Sequence, residues 1–331
     1  MNFSATSLLT LVWVCQEIVK RKRDHEYWEF LKPCVGDVEI VEMKWIWRAG
    51  LFAMILAFVT LLIGLGVLII EGKRRPDTNA RYVALGSSFA AGLGLGARAP
   101  SSPIVCQRSL NGYPQQLARL TGISLADMTC SGATVRHVLH GGQYFQGPQI
   151  DAVGPHTELV TLTAGGNDVG YVGDLVMMSY RGRGGFVGHV IDRFWKGAKP
   201  VENRQFSQLQ SELIATFHEI AHRAPRARIF VVTYPVILPP AGTCDQIGIG
   251  EKEAALMRDV GTRLAEVTRE AAKATGVTVV DMASLSAGHD ACSTEPWVNG
   301  AAPERGALFH PTLAGAQATA KQIMLLLEER P

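Results

Sequence analysis

The chain has 331 residues, which is enough for one large domain and an additional segment. Its formal net charge is only +2, so it lacks the strongly basic character of nucleic-acid-binding domains, and we expect no nucleic acid among its partners. Hydrophobic residues make up 47% of the chain, and one segment near the N-terminus accounts for much of that fraction.

That segment is residues 49–70, a run without a charged side chain. As a helix it would span about 33 Å, which is enough to cross a bilayer. Basic residues flank both ends almost equally, so the charge distribution gives no clear orientation. An Ala-x-Ala-like cleavage site does not follow the run, which favours an uncleaved single-pass anchor. Secretion after removal of a signal peptide is the alternative.

Residues 1–48 form an N-terminal extension before this segment. Within it, Met43 begins the sequence Met-Lys-Trp-Ile-Trp-Arg, which is typical of the start of a signal anchor. This leads to the hypothesis that translation starts at Met43 and that residues 1–42 are not part of the native protein. A peptide from residues 24–40 in the purified native protein would refute that hypothesis.

A charged, proline-containing linker at residues 71–79 leads into the predicted domain, residues 80–331, where strand-like and helix-like segments alternate. We predict strands at 80–86, 124–129, 158–164, 228–233 and 277–281, and helices at 113–120, 206–223, 251–275 and 313–329. This alternation predicts an α/β fold in which helices cover both faces of a parallel sheet.

Residues 170–204 interrupt the alternation with six basic side chains and interleaved methionine and aromatic residues. A solvated surface excursion is one interpretation of this insertion. A lid, or a patch that contacts lipid headgroups or an anionic substrate, is the other.

Four cysteines lie after the linker: Cys106, Cys130, Cys244 and Cys292. Their spacing is too wide for a Cys-x-x-Cys metal site. They allow three disulfide pairings, of which the simplest joins Cys106 to Cys130 and Cys244 to Cys292 in two local loops. Four buried free thiols are the alternative. Disulfides would place the domain in an oxidising compartment, in the periplasm or outside the cell.

A candidate nucleophile lies where the first predicted strand ends. The Gly-Ser-Ser turn that contains Ser88 would present a hydroxyl at the carboxyl edge of the sheet, where open α/β sheets bind their ligands. Gly132 and Asn167 follow the next two strands, and His310 precedes the last helix. Together they offer a hydroxyl, a backbone N–H, an amide and an imidazole, which are the groups that acyl transfer needs.

In this order, Ser88, Gly132, Asn167 and His310 resemble the four blocks of the SGNH (GDSL) hydrolase superfamily, and the resemblance covers residues 81–329. The cysteine spacing and the Cys-Ser-Gly-Ala block are similar to the secreted actinobacterial-type lipases and esterases of that superfamily. The resemblance implies a flavodoxin-like three-layer α/β/α fold with a five-stranded parallel sheet. It also implies serine esterase or lipase activity without a metal or cofactor, and it supports the two local disulfides.

By this resemblance Ser88 is the nucleophile and His310 is the base that removes its proton. The oxyanion hole would consist of the N–H groups of Ser88 and Gly132 and the side-chain amide of Asn167.

Two positions depart from the superfamily pattern. Ser87 replaces the usual aspartate of the Gly-Asp-Ser block. Ala307 replaces the aspartate that usually lies three residues before the histidine, so we expect the backbone carbonyl of Ala307 to orient His310. The carboxylate of Glu304 is a weaker candidate for orienting His310. A neutral carbonyl stabilises the imidazolium less than a carboxylate does, and we therefore expect a modest turnover rate.

Three alternatives stay open at this point. His218, Glu219 and His222 match the His-Glu-x-x-His pattern of zinc peptidases, although the apolar stripe of that helix leaves both histidines near solvent. The lack of an aspartate at position 307 would also be consistent with a catalytically silent binding module. The anchor at 49–70 would suit a deacylase or acyltransferase that acts on an envelope lipid or glycan. We favour an ester as the substrate and a membrane contact through residues 49–70.

Overall fold

A computed structural model describes residues 38–73 and 76–329 of the chain. The hypothesis about residues 1–42 falls mostly outside the described residues. Helix α1 (Val38–Gly72) contains the predicted span 49–70. Among the described residues its part Trp47–Gly72 is the one helix long and apolar enough to cross a membrane, a property that anchors and signal sequences share. The chain divides into two units within this helix, after Leu65.

A five-stranded parallel sheet forms the centre of the second unit. Its strands are β1 (Tyr82–Gly86), β2 (Leu125–Asp127), β3 (Leu159–Thr163), β4 (Arg228–Val232) and β5 (Thr278–Val280). Their spatial order is β2-β1-β3-β4-β5, and all four pairings are parallel. This is the flavodoxin-like order, in which the direction of winding reverses between β1 and β3. The predicted fold class and sheet are therefore confirmed.

Helices cover both faces of this sheet. They are α2 (Ser88–Ala91), α3 (Tyr113–Thr121), α4 (Val135–His140), α5 (Tyr171–Gly182), α6 (Gly185–Phe194), α7 (Phe206–Arg223), α8 (Glu251–Thr275), α9 (Met282–Leu285) and α10 (Leu313–Glu328). Helices α4, α5, α7 and α8 bury side chains in a core on one face of the sheet, and α3 and α10 do so on the other. Strand β1 serves both cores, because Val83 and Leu85 point into the first and Tyr82 and Ala84 into the second.

The insertion at 170–204 is largely helical. It contains α5, α6 and a 3-10 turn at Val201–Asn203. Helix α5 buries Tyr171, Leu175 and Met178 in the first core, so this half of the insertion is packed into the domain.

Two disulfides join Cys106 to Cys130 and Cys244 to Cys292. This is the pairing that the resemblance supported. The first bridge lies beside the end of β2, and the second joins two loops that follow β4 and β5.

Candidate active site

Ser88 lies at the carboxyl edge of the sheet, just after β1. Strand β1 ends at Gly86, and the N–H of Ser87 still donates to the carbonyl of Thr163, at 2.9 Å. Gly86 has a φ of +134°, and a Cβ there would collide with the Thr163 carbonyl oxygen, so this turn requires glycine. The chain then enters α2 at Ser88, at the point where the strand order reverses and where such sheets bind ligands.

The Ser88 hydroxyl contacts the imidazole of His310. The Oγ of Ser88 lies 2.7 Å from Nε2 of His310, and each residue is only 7% exposed. The Nδ1 of His310 lies 2.7 Å from the carbonyl oxygen of Leu308. Since a carbonyl can only accept, Nδ1 carries the proton and Nε2 is left to accept the serine O–H. Burial lowers the pKa of His310, and the hydrogen bond to Leu308 opposes this in part.

The partner of the imidazole differs from the predicted one, because Nδ1 donates to Leu308. The carbonyl of Ala307 instead accepts the backbone N–H of His310 at 3.3 Å and the side-chain amide of Asn299 at 3.2 Å. The cause is Phe309, whose left-handed φ of 55° turns the backbone between Leu308 and His310. The prediction for Ala307 was therefore wrong by one residue.

The weaker substitute, Glu304, is exposed and is not the partner of Nδ1. The imidazole is therefore oriented by a neutral backbone carbonyl, that of Leu308. This arrangement is a Ser-His pair without a carboxylate on Nδ1.

The loop that carries His310 is held by a segment from elsewhere in the chain. The N–H of Asn299 donates to the carbonyl of His310 at 2.8 Å, and the N–H of Phe309 donates to the carbonyl of Gly300 at 3.2 Å. Phe309 is fully buried, so its ring fixes the loop from inside. The segment around Asn299 is thus a support for the His310 loop.

Asn167 lies in the turn that follows β3. Its side-chain amide donates one hydrogen bond to the carbonyl of Ala133, at 2.8 Å. The amide carries a second N–H, which can donate to a substrate oxygen. The preceding glycines permit the tight turn: Gly165 has a φ of +109°, and a Cβ on Gly166 would lie 2.8 Å from the ring of Tyr234.

Gly132 lies in the loop after β2, next to the first disulfide. The N–H of Cys130 donates to the carbonyl of Gly86 at 3.0 Å, and the N–H of Ser131 donates to the carbonyl of Cys106 at 3.1 Å. Gly132 follows with a φ of +83°. The loop is therefore tied both to the end of β1 and, through the bridge, to Cys106.

Two buried residues support the serine turn although no sequence motif indicated them. The side-chain amide of Gln149 pairs with the backbone of Gly86, with distances of 2.8 Å to its nitrogen and 3.0 Å to its oxygen. The Tyr234 hydroxyl accepts the N–H of Gly166 at 3.2 Å and lies 3.0 Å from Oγ of Ser87. Burial raises the pKa of Tyr234 to about 12, so the phenol stays protonated.

The zinc-peptidase pattern lies on an outward part of α7. His218 and His222 are exposed, and the Glu219 carboxylate accepts a hydrogen bond from Nε of Arg223 at 2.7 Å. Within residues 38–73 and 76–329, no group of three or more His, Cys, Asp or Glu side chains is placed to hold a metal ion.

Comparison with known proteins identifies the family. The model of the GDSL-like lipase/acylhydrolase family matches residues 84–318. Lipase 2 of Streptomyces coelicolor is 33% identical over 220 residues, which cover 64% of this chain and 72% of that protein. A lipase of Streptomyces rimosus is 30% identical over 237 residues, which cover 71% of this chain and 81% of that protein.

Solved structures agree with these relatives. The crystal structure of an extracellular lipase from Streptomyces rimosus superimposes with a TM-score of 0.58 at 28% identity, covering 75% of this chain and 99% of the other. Phospholipase A1 from Streptomyces albidoflavus superimposes with a TM-score of 0.59 at 26% identity, covering 76% of this chain and 100% of the other. The chain therefore belongs to the GDSL-like lipase/acylhydrolase family and is a carboxylic ester hydrolase.

Proposed function

We propose that this protein hydrolyses carboxylic esters through an acyl-enzyme formed on Ser88, with His310 as the general base. The observation that carries this proposal is the contact of 2.7 Å between the Ser88 hydroxyl and Nε2 of His310 in a buried setting. A neutral hydroxyl is a poor nucleophile, and an adjacent unprotonated imidazole nitrogen is what activates it.

In the first half of the reaction, Oγ of Ser88 attacks the ester carbonyl carbon while its proton moves to Nε2 of His310. The carbonyl oxygen becomes an oxyanion, for which we propose the N–H groups of Ser88 and Gly132 and the amide of Asn167 as donors. The tetrahedral intermediate then collapses. His310 returns the proton to the departing alcohol, and the acyl group stays on Ser88.

In the second half, water replaces the alcohol. His310 removes a proton from the water as the oxygen attacks the acyl carbon, and it then protonates Oγ of Ser88 as the acid leaves. The imidazolium that forms in each half donates through Nδ1 to the carbonyl of Leu308. Because that oxygen bears only a partial charge, it stabilises the imidazolium less than a carboxylate would, and we expect a modest turnover number.

Lipid esters are the substrate class that we propose. Two relatives carry the name lipase, and one structural neighbour is a phospholipase A1. We further propose that the enzyme acts outside the cytoplasm, because its two disulfides require an oxidising compartment. The apolar helix Trp47–Gly72 would tether the domain to the membrane there, and cleavage after this segment would give a secreted form.

A fluorophosphonate probe tests the nucleophile, because it labels an activated serine covalently. We expect an adduct on Ser88 that is lost in Ser88→Ala and unaffected by a metal chelator. Ser87→Ala is the matched control, since it removes the neighbouring buried hydroxyl and leaves the Ser88–His310 contact in place. An adduct on Ser87, or hydrolysis of short p-nitrophenyl esters that survives Ser88→Ala, would refute the proposal.

Sequencing the N-terminus of the native protein from the membrane and medium fractions tests the tether. An intact segment 49–70 in the membrane fraction is the expected result. Protein found only in the medium, and beginning after residue 70, would contradict the anchored form.

A further inference from the structure

Helix α6, in the insertion, presents an apolar face to solvent. Phe186, Val190 and Phe194 recur at every fourth position and share one side of the helix with Val187. Phe186 is 84% exposed and Phe194 is 79% exposed. Another side of the same helix already packs inward through Ile191. The exposed face is therefore additional to the packing that holds the helix on the domain.

Basic residues are close to this face in the sequence. Residues 181–199 contain five Lys and Arg residues and one acidic residue, Asp192. Arg181 is engaged, since it pairs with Glu253 and lies 5.0 Å from the Trp195 ring centroid. Of the other four, Arg183 donates a hydrogen bond to the carbonyl of Ala301, and Arg193, Lys196 and Lys199 are exposed to solvent.

Large aromatic side chains with basic residues next to them are typical of amphipathic elements that lie in the interface of a membrane. The phenyl rings enter the acyl boundary, and the cationic groups meet negatively charged headgroups. An exposed apolar face on a helix that is already packed on another side also marks an interaction surface in its own right.

We propose that the exposed face of α6, with Arg193 and Lys196 at its edge, binds the surface of a bilayer that contains anionic lipids. In the anchored form proposed above, a short linker would keep the domain close to the bilayer. Nine residues separate the end of α1 at Gly72 from β1 at Tyr82, which is about 30 Å of extended chain. The face would then hold the domain against the membrane in which its lipid esters reside.

The globular domain can be tested without α1. It contains the complete five-stranded sheet and both disulfides, and the match to the extracellular Streptomyces rimosus lipase covers 99% of that free-standing enzyme. Residues 76–331 with the substitution Ser88→Ala would not consume the lipids. Binding can therefore be measured apart from catalysis, and a failure here leaves the proposed chemistry untouched.

The test is sedimentation with vesicles of phosphatidylcholine, with and without phosphatidylglycerol. We expect binding to the phosphatidylglycerol vesicles that weakens as salt is raised. Phe186→Ser and Phe194→Ser should each weaken it about tenfold, because each removes a ring that the bilayer would bury. Arg193→Gln and Lys196→Gln should each weaken it about fivefold.

Matched controls come from the other face of the sheet. Leu120→Ser on α3 removes an exposed apolar side chain, and Lys321→Gln on α10 removes an exposed charge. Neither should change vesicle binding. In the domain with Ser88 restored, the α6 variants should hydrolyse a soluble short-chain ester at the parent rate, which shows that they are folded.

Absence of vesicle binding by the parent domain, or binding that the two Phe variants leave unchanged, would overturn the proposal. Light scattering gives the competing outcome. A dimer that dissociates in Phe186→Ser, without vesicle binding, would overturn the proposal and assign the face to a second copy of this chain.

Discussion

Asp168 is a carboxyl group that the fold makes difficult to ionise. It follows Asn167 in the turn after β3, and its two oxygens lie 3.1 and 3.2 Å from the backbone nitrogen of Val135, at the start of α4. Burial raises the pKa of Asp168 from 3.8 to about 6, although the hydrogen bond from Val135 lowers it in part. Asp168→Asn keeps an oxygen that can accept this N–H and removes the titration.

The pKa shift sets the size and sign of the effect. Between 3.8 and about 6 the folded protein holds a proton on Asp168 that the unfolded chain has lost. The folded state therefore binds more protons in this window. The stability that the protonated Asp168 contributes is fully present below pH 3.8 and is lost as the pH rises through about 6. At neutral pH the ionised group costs about 3 kcal/mol of unfolding free energy, since each pKa unit corresponds to about 1.4 kcal/mol.

Urea unfolding of residues 76–331 at a series of pH values measures this effect, with the disulfides kept intact. The unfolding free energy of Asp168→Asn minus that of the parent should rise by about 2–3 kcal/mol from acidic to neutral pH. The matched control is Asp245→Asn at an exposed loop position. A difference between Asp168→Asn and the parent that does not vary with pH would refute the reasoning.

Three further predictions concern the catalytic pair, the oxyanion donors and the second disulfide. Since burial lowers the pKa of His310, kcat/KM for a soluble ester should fall on the acid side with a midpoint below 6.5, and a midpoint at or above that value would contradict the assignment. Asn167→Ala should lower kcat about 10²–10³-fold with little change in KM, and an unchanged kcat would exclude this amide as an oxyanion donor. Replacing Cys244 and Cys292 by serine opens a loop of 48 residues and should lower the unfolding free energy by about 4 kcal/mol, which urea unfolding of the oxidised parent and the variant would show.

Most of the sheet could be predicted from local sequence. Five apolar runs separated by helical segments are typical of buried parallel strands, and all five strands lie within the predicted ranges. The boundaries of α7 and α8 agree with the predicted 206–223 and 251–275, because amphipathic periodicity is strong in long helices. The insertion was harder to predict, because α5 and α6 each follow a glycine with positive φ.

The residues that support the serine turn could not be predicted in this way. Gln149 and Tyr234 lie far from Ser88 in the sequence and belong to no motif, and each acts through a single hydrogen-bonding group that the fold brings to the turn. An isolated glutamine or tyrosine gives no local signal of such a role. Only the packing of the sheet and its loops shows that these side chains hold Gly86 and Ser87 in place.

The hydrogen-bond partner of the His310 side chain shows a limit of the sequence prediction. The resemblance to the superfamily indicates that an acceptor lies just before the histidine, and it points to Ala307. Which carbonyl faces Nδ1 depends on the left-handed backbone of Phe309, a conformation that a bulky residue adopts only when its surroundings enforce it. Those surroundings are the burial of the Phe309 ring and the bond from its N–H to Gly300. The chemical role of the loop is thus encoded locally, but the atom that fulfils it is selected by tertiary contacts.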